Sequence, residues 1–178
     1  MRTFLTQSSH HETQVGALEA IRVKILVKGE PGRLDSLKVE LSSESNLFFH
    51  YAHEMDAKGF QAMQESQRLM VTFTDYPTVL LRMLNQCIKD PHIQLAVFVM
   101  QPNGEARMDF IQNMEYKFVE LLSCRFMASP EDVVRQQVSY RYNVVKARLT
   151  LMQFLTCLLS STYVPLMYRQ GWRMLIHW

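Results

Sequence analysis

The hydrophobic period of this chain turns helical for good at Ala128, and no other feature restricts the architecture as much. Before that point stretches of strand-like alternation in twos outnumber two short helical stretches, and after it apolar residues recur every three or four positions. A chain patterned this way makes a sheet and then a long helix. The expected fold class is therefore α+β: a small antiparallel β-sandwich or barrel head with two short helices, followed by a C-terminal helix.

The sheet is built from consecutive signals. Ile21, Val23, Ile25 and Val27 alternate with Arg22, Lys24, Leu26 and Lys28 and predict a half-buried strand. Gly29-Glu30-Pro31-Gly32-Arg33 turns the chain, and Leu34, Leu37, Val39 and Leu41 form its antiparallel partner. Phe48 to His53 continues the sheet. Asp56 reads as the N-cap of a helix through Gln67 with Phe60 and Met63 inward, and Leu69 to Phe73 as a further strand. Asp75 and Pro77 open a second helix whose stripe is Val79, Leu80, Met83, Leu84 and Ile88. Strands over Ile93–Met100 and Arg107–Asn113 meet at Pro102-Asn103-Gly104, a strong hairpin signal. A last strand over Tyr116–Met127 puts Phe118, Glu120, Leu122, Cys124 and Phe126 on one face, with Glu120 at a bulge or sheet edge.

Ser129-Pro130-Glu131-Asp132 then supplies a capping hydroxyl, an N1 proline and two acids, the clearest helix start in the chain. Beyond it Val134 leads into Val138, Tyr142, Val145, Leu149 and Met152, which fit the a/d seam of a heptad repeat; Thr156 and Leu159 continue it. With the head complete without it, this seam is expected to pair with a partner helix. The division predicted is a mobile N-terminal arm over 1–20, a head over 21–128, the helix over 129–160, and a divergent, disordered tail over 161–178, because Pro165 should stop a helix.

Composition matters mainly through charge. Asp132 is the last acidic residue; the 46 positions after it hold six basic side chains, whereas residues 1–132 hold 13 basic and all 17 acidic ones. Such a cationic end is attracted to acidic partners such as tubulin, nucleic acid or phospholipid headgroups, or forms a solvated helix face. Met1 to Glu12 has no apolar core behind Arg2, and Cys87, Cys124 and Cys157 are odd in number without C-x-x-C spacing; a cytosolic setting with buried structural thiols follows. His10 and His11 lack a third ligand, so no metal is expected. No Gly-rich phosphate loop, G-x-S-x-G, H-E-x-x-H or paired carboxylate is present, and Asp109 and Glu120 read as ordinary strand charges, so an enzyme, a cofactor and a small-molecule substrate are all unexpected.

In this order the segments Asn46-Leu47-Phe48-Phe49-His50-Tyr51, Phe60, Leu69 to Phe73, Tyr76-Pro77 and Leu84-Asn85-Gln86-Cys87 resemble successive parts of the N-terminal head of the centriolar cartwheel family, spindle assembly abnormal protein six. Its shorter "like" branch is the nearest in appearance. Val119 to Phe126 and Glu131-Asp132-Val133-Val134 resemble the family's strand-to-helix region, and together these segments cover roughly residues 20–152. The resemblance implies a β-sandwich or barrel capped by two helices, then a long parallel coiled coil. It also implies that heads pair by an apolar residue on a late hairpin, here Gln112-Asn113-Met114-Glu115, which enters a pocket of the neighbouring head. Tyr116 falls where the family inserts its aromatic, with Met114 beside it. The function so implied is a non-enzymatic, self-associating scaffold in the cytoplasm, at the centriole, basal body or flagellar base, with other centriolar proteins and tubulin as partners.

Residues 154–178 do not resemble the family. Leu149 to Tyr168 is an uncharged run long enough to cross a bilayer, but Gln153, several hydroxyls and Pro165 argue against a membrane span. A nucleic-acid-binding or DNA-repair-type adaptor with a similar head-plus-coil outline is the alternative, and the lack of basic and aromatic residues interleaved on a sheet face weakens it.

Overall fold

The computed structural model describes the main chain of residues 2–7, 17–30 and 32–169, with side chains over 19–30 and 32–159. Its elements in chain order are β1 (Arg2–Gln7), β2 (Ala17–Glu30), β3 (Arg33–Ser43), β4 (His50–Asp56), α1 (Ala57–Gln67), α2 (Tyr76–Lys89), β5 (Gln94–Met100), β6 (Glu105–Met114), β7 (Lys117–Ala128) and α3 (Glu131–Arg169). They form two compact units, Met1–Val134 and Arg135–Trp178.

In the first unit the strands close into a barrel in the order β1-β2-β3-β4-β7-β6-β5. Two long hairpins supply most of it. β2 and β3 pair from Ile21–Ser43 to Glu30–Arg33 with a bulge at Lys28/Gly29, where φ is +152° and a Cβ would lie 2.2 Å from the Arg33 carbonyl oxygen, so only glycine fits. β5 and β6 pair from Gln94–Gln112 to Met100–Ala106 around Asn103-Gly104, and Gly104 takes the positive φ such a turn demands. Inside, Phe49, Tyr51, Phe98 and Phe126 form an aromatic cluster with centroids 5.0–5.7 Å apart in tilted or edge-on geometry, each pair contributing roughly 1 kcal/mol beyond its buried area.

Strands β4 and β7 pair only at Tyr51–Ala128 and Ala52–Met127. Side chains serve the β7 main chain beyond that. The Gln67 amide, at the end of α1, donates to the Ser123 carbonyl at 2.7 Å and accepts from its N–H at 2.8 Å. His53 Nδ1 donates to the Arg125 carbonyl at 2.6 Å, which fixes the tautomer and leaves Nε2 as an acceptor 3.5 Å from the Tyr76 hydroxyl. That hydroxyl stands 3.3 Å from Cys124 Sγ, so a buried polar chain links β4, α2 and β7. Asp109, expected to be an ordinary strand charge, is buried and satisfied by Arg107 Nε at 2.9 Å and the Ser123 hydroxyl at 2.7 Å.

Several expectations require correction. Residues 2–7, placed in a mobile arm, form β1, which pairs antiparallel with β2 and parallel with β5 and so closes the barrel; a strand held by main-chain bonds on both sides needs no alternation to reveal it. β2 begins at Ala17, also inside the span assigned to the arm. Leu69 to Phe73 is not a strand. It connects α1 to α2, with Arg68 in the left-handed conformation at the α1 C-cap, Gln64 Nε2 donating to the Val71 carbonyl, and Leu69 and Phe73 packed on the core. Asp75 stands at the α2 N-cap position without a side-chain cap bond; its carboxylate accepts from the Thr72 hydroxyl at 2.6 Å. On α2 the buried residues are Tyr76, Leu80, Leu84 and Cys87, and Ile88 is exposed.

The remaining corrections concern the C-terminal part. Helix α3 runs through Pro165 to Arg169, which places 161–169 in the helix; a proline removes one i→i−4 bond but leaves the turns on either side intact. Cys157 is exposed, unlike Cys87 and Cys124. Residues 170–178, with Trp172 and Trp178, lie outside the described residues, as do His10 and His11. Among the described residues no helix is long and apolar enough to cross a membrane, and no three His, Cys, Asp or Glu stand together as metal ligands.

Candidate self-association surfaces

The β6–β7 connection is a tight hairpin turn. Met114 pairs with Lys117, leaving Glu115 and Tyr116 as a two-residue loop in which Glu115 takes φ +52° and the Tyr116 N–H donates to the Met114 carbonyl. The loop throws the tyrosine outward: its side chain is 95% exposed, with Met114 half-exposed beside it. The structure thus brings together the two residues singled out from the sequence and adds Phe118. That residue was expected inside, yet is 68% exposed. A bulge explains the difference, because Phe110 pairs with Leu122 and Ile111 with Glu120, leaving Leu121 as an extra residue in β7. One extra residue reverses the alternation, so Leu122, Cys124 and Phe126 face the core while Phe118 and Glu120 do not.

A few residues along the same strand lies an apolar cavity of about 320 Å³, lined by Leu69, Val71, Val79, Met83, Leu121 and Leu122 with Tyr76, Arg82, Gln86 and Gln94. Leu69 and Val71 of the α1–α2 connection and the bulged Leu121 form two of its walls. Gln94, 7% exposed, contributes a side-chain nitrogen that has no hydrogen-bond partner among the described residues. An orphaned buried donor is unfavourable by about 1–3 kcal/mol, and an incoming acceptor would relieve it. No sequence signal pointed to this cavity, since its lining comes from the α1–α2 connection, α2, β5 and β7.

The tyrosine and thiol of the buried polar chain are held in their neutral forms. Burial pushes the Tyr76 hydroxyl far above its ordinary range and the Cys124 thiol up to about 12. Burial also lowers the His53 pKa, against the raising influence of the Arg125 carbonyl bond, and lowers that of His50, whose Nδ1 is 2.7 Å from the Ser129 hydroxyl. These groups hold strand to helix, and burial keeps the Cys124 thiol protonated.

In the second unit the predicted seam lies along one side of α3. Tyr142, Val145, Leu149 and Met152 are exposed and Val138 is half-buried, at spacings of 4, 3, 4 and 3. Thr156 continues the seam, and its hydroxyl donates to the Met152 carbonyl at 2.9 Å, so its polar atom is satisfied within the helix.

Residues 3–126 match the family model described as the centriolar protein SAS N-terminal domain. The spindle assembly abnormal protein 6 homolog of Gallus gallus is 21% identical over 124 residues, covering 65% of this chain and 19% of that protein. The Danio rerio homolog is 18% identical over 141 residues, covering 75% and 22%. The chain thus spans about a fifth of the length of these curated relatives. Among solved structures, an N-terminal fragment of Leishmania SAS-6 with parts of its coiled coil, an F257E mutant, has a TM-score of 0.76 at 14% identity over 96% of this chain and 95% of the other. The N-terminal coiled-coil dimer of C. elegans SAS-6 has a TM-score of 0.69 at 14% identity over 86% and 90%. At these identities the likeness is one of fold.

Proposed function

Because the chain belongs to the centriolar SAS family, whose N-terminal domain it carries at residues 3–126, we propose that it is a self-associating, non-enzymatic scaffold of the centriole, basal body or a related microtubule-based structure. In this reading it acts in the cytoplasm, at the centriole or flagellar base. Its first partner is a second copy of itself, and centriolar proteins and tubulin come after.

The observation that carries the reading is the nearness, on one head, of an exposed aromatic hairpin and an apolar cavity with an unpartnered polar atom. Tyr116 and Leu121 are five residues apart along one hairpin arm, so a two-fold contact between heads lets each tyrosine enter the cavity of the other copy. Tyr116 brings an aromatic surface of roughly 150–250 Å². Inside that cavity the phenol oxygen would offer an acceptor to the other copy's Gln94 Nε2, which has no hydrogen-bond partner among the described residues. Met114 and Phe118 flank the contact. The second self-contact is the α3 seam of Val138, Tyr142, Val145, Leu149 and Met152, paired in parallel with the same seam of another copy. Two different self-contacts in one chain propagate an assembly, and the second forms at the raised effective concentration created by the first.

Sedimentation of the chain over a range of concentrations tests this. Wild type is expected to form species larger than dimers, Tyr116→Ala to stop at helix-paired dimers, and Val145→Asp to retain only the weaker head contact. A wild type that stays monomeric at high concentration refutes the reading.

A further inference from the structure

Helix α3 carries a second apolar stripe. Tyr140, Val144, Ala147, Leu151, Phe154 and Leu158 recur at spacings of 4, 3, 4, 3 and 4, the heptad rhythm of the first seam displaced by about 150° around the axis. Tyr140, Leu151, Phe154 and Leu158 are between 47% and 67% exposed, and Ala147, Leu151 and Phe154 line a shallow groove on the helix. Pairing through the first seam covers one side of the helix only, so this stripe stays open in a two-helix assembly. The positions flanking it are Arg141, Arg148 and Leu155 on one side and Asn143, Thr150 and Cys157 on the other. No acidic residue follows Asp132 in the sequence.

From these observations we infer that the second stripe of α3 docks an amphipathic helix of a different protein, one with acidic residues beside its apolar face. A second copy of this chain is the worse occupant. Alongside the stripe it brings only the cations Arg141, Lys146 and Arg148, because the acids of α3, Glu131 and Asp132, lie in the first turn ahead of the stripe. An acidic helix supplies both the missing apolar cover and the missing charge, and flanking charges of this kind set partner choice between helices. This goes beyond self-assembly, and it uses residues that the homotypic contacts leave open.

The test uses two synthetic helices four heptads long, with leucine at a and d and either glutamate or lysine at e and g, and measures their binding to the whole chain by anisotropy. The glutamate helix is expected to bind at least about tenfold more tightly than the lysine helix at low salt, and the preference to shrink as salt is raised. Leu151→Ser with Phe154→Ser should remove binding while the chain's own dimer, followed by sedimentation, persists. Arg141→Glu with Arg148→Glu should reverse the preference toward the lysine helix, which checks the idea without touching the apolar stripe. Equal binding of the two helices, binding that survives the serine pair, or a four-helix assembly of this chain alone that the serine pair reduces to dimers overturns the inference. The dimer readout reports on the first seam separately, so loss of self-pairing is distinguishable from loss of this site.

Discussion

Single residues in the head divide into those that hold the barrel shut and those that the proposed head contact would use. His53 belongs to the first group: it is buried, bonded to the Arg125 carbonyl, and stands next to Tyr76 and Cys124, which are kept uncharged. Its folded pKa lies below the ordinary 6.5, so the unfolded chain binds the proton more readily. The stability it contributes is therefore complete above pH about 6.5 and falls away as the pH drops toward the depressed folded value. His50 acts in the same direction. The melting temperature of the head should decline between pH 7 and 5, and His53→Gln, which keeps a donor but cannot titrate, should flatten that decline; an unchanged slope would place the effect elsewhere. The group proposed to face a partner is Tyr116 with Gln94. If the phenol meets the amide across the contact, Tyr116→Phe weakens head pairing by about fivefold, equivalent to ~1 kcal/mol. The same change then has no effect when Gln94 is already leucine. Equal effects in both backgrounds would separate the pair while leaving aromatic insertion intact.

Among elements, α1 and the hairpins follow from local chemistry, and the others depend on their neighbours. Asp56 accepts from the Gly59 N–H at 2.7 Å, as its position before a polar helix predicts, and Asn103-Gly104 turns β5 into β6. By contrast Leu69 to Phe73 has strand composition but follows a helix that ends in a left-handed Arg68 and finds no edge to join. The bulge in β7 was hinted at by Glu120 among apolar residues, but its consequence, an exposed Phe118, needed the register. For α3 the seam predicts that Val145→Asp weakens dimerisation by at least tenfold, because an unpaired charge would be buried at a d position. Parallel pairing also sets Arg141 of one helix toward Lys146 of the other, a like-charge pair at g and e. Self-pairing through α3 should therefore tighten as salt rises from 50 to 500 mM, as screening shortens from roughly 14 to 4 Å. Sedimentation across that range reads the sign, and weakening with salt would refute the parallel register. Binding of an acidic helix to the opposite stripe has the opposite salt dependence, so the two faces are separable in one titration.

At the scale of the whole molecule, the two self-contacts proposed for this chain would make assembly a product of both. Tyr116→Ala and Val145→Asp combined should leave monomers at concentrations where each single variant still forms dimers, with head stability within about 0.5 kcal/mol of wild type since both residues are exposed; oligomers that persist in the double variant would reveal a further interface. The sequence by itself determined that a β head precedes a long helix, that most strands and both head helices lie where they do, and that one helix face is apolar without acids. These follow from period, caps and turns, which act over three to five residues. Only the tertiary structure decided that residues 2–7 close the barrel, that Gln67 and His53 serve the main chain of β7, and that Leu69, Leu121 and Gln94 share one cavity beside Tyr116. The reason is physical. Main-chain pairing, bulge parity and cavity lining join residues far apart in sequence, and no local pattern records which distant segment will supply the missing partner.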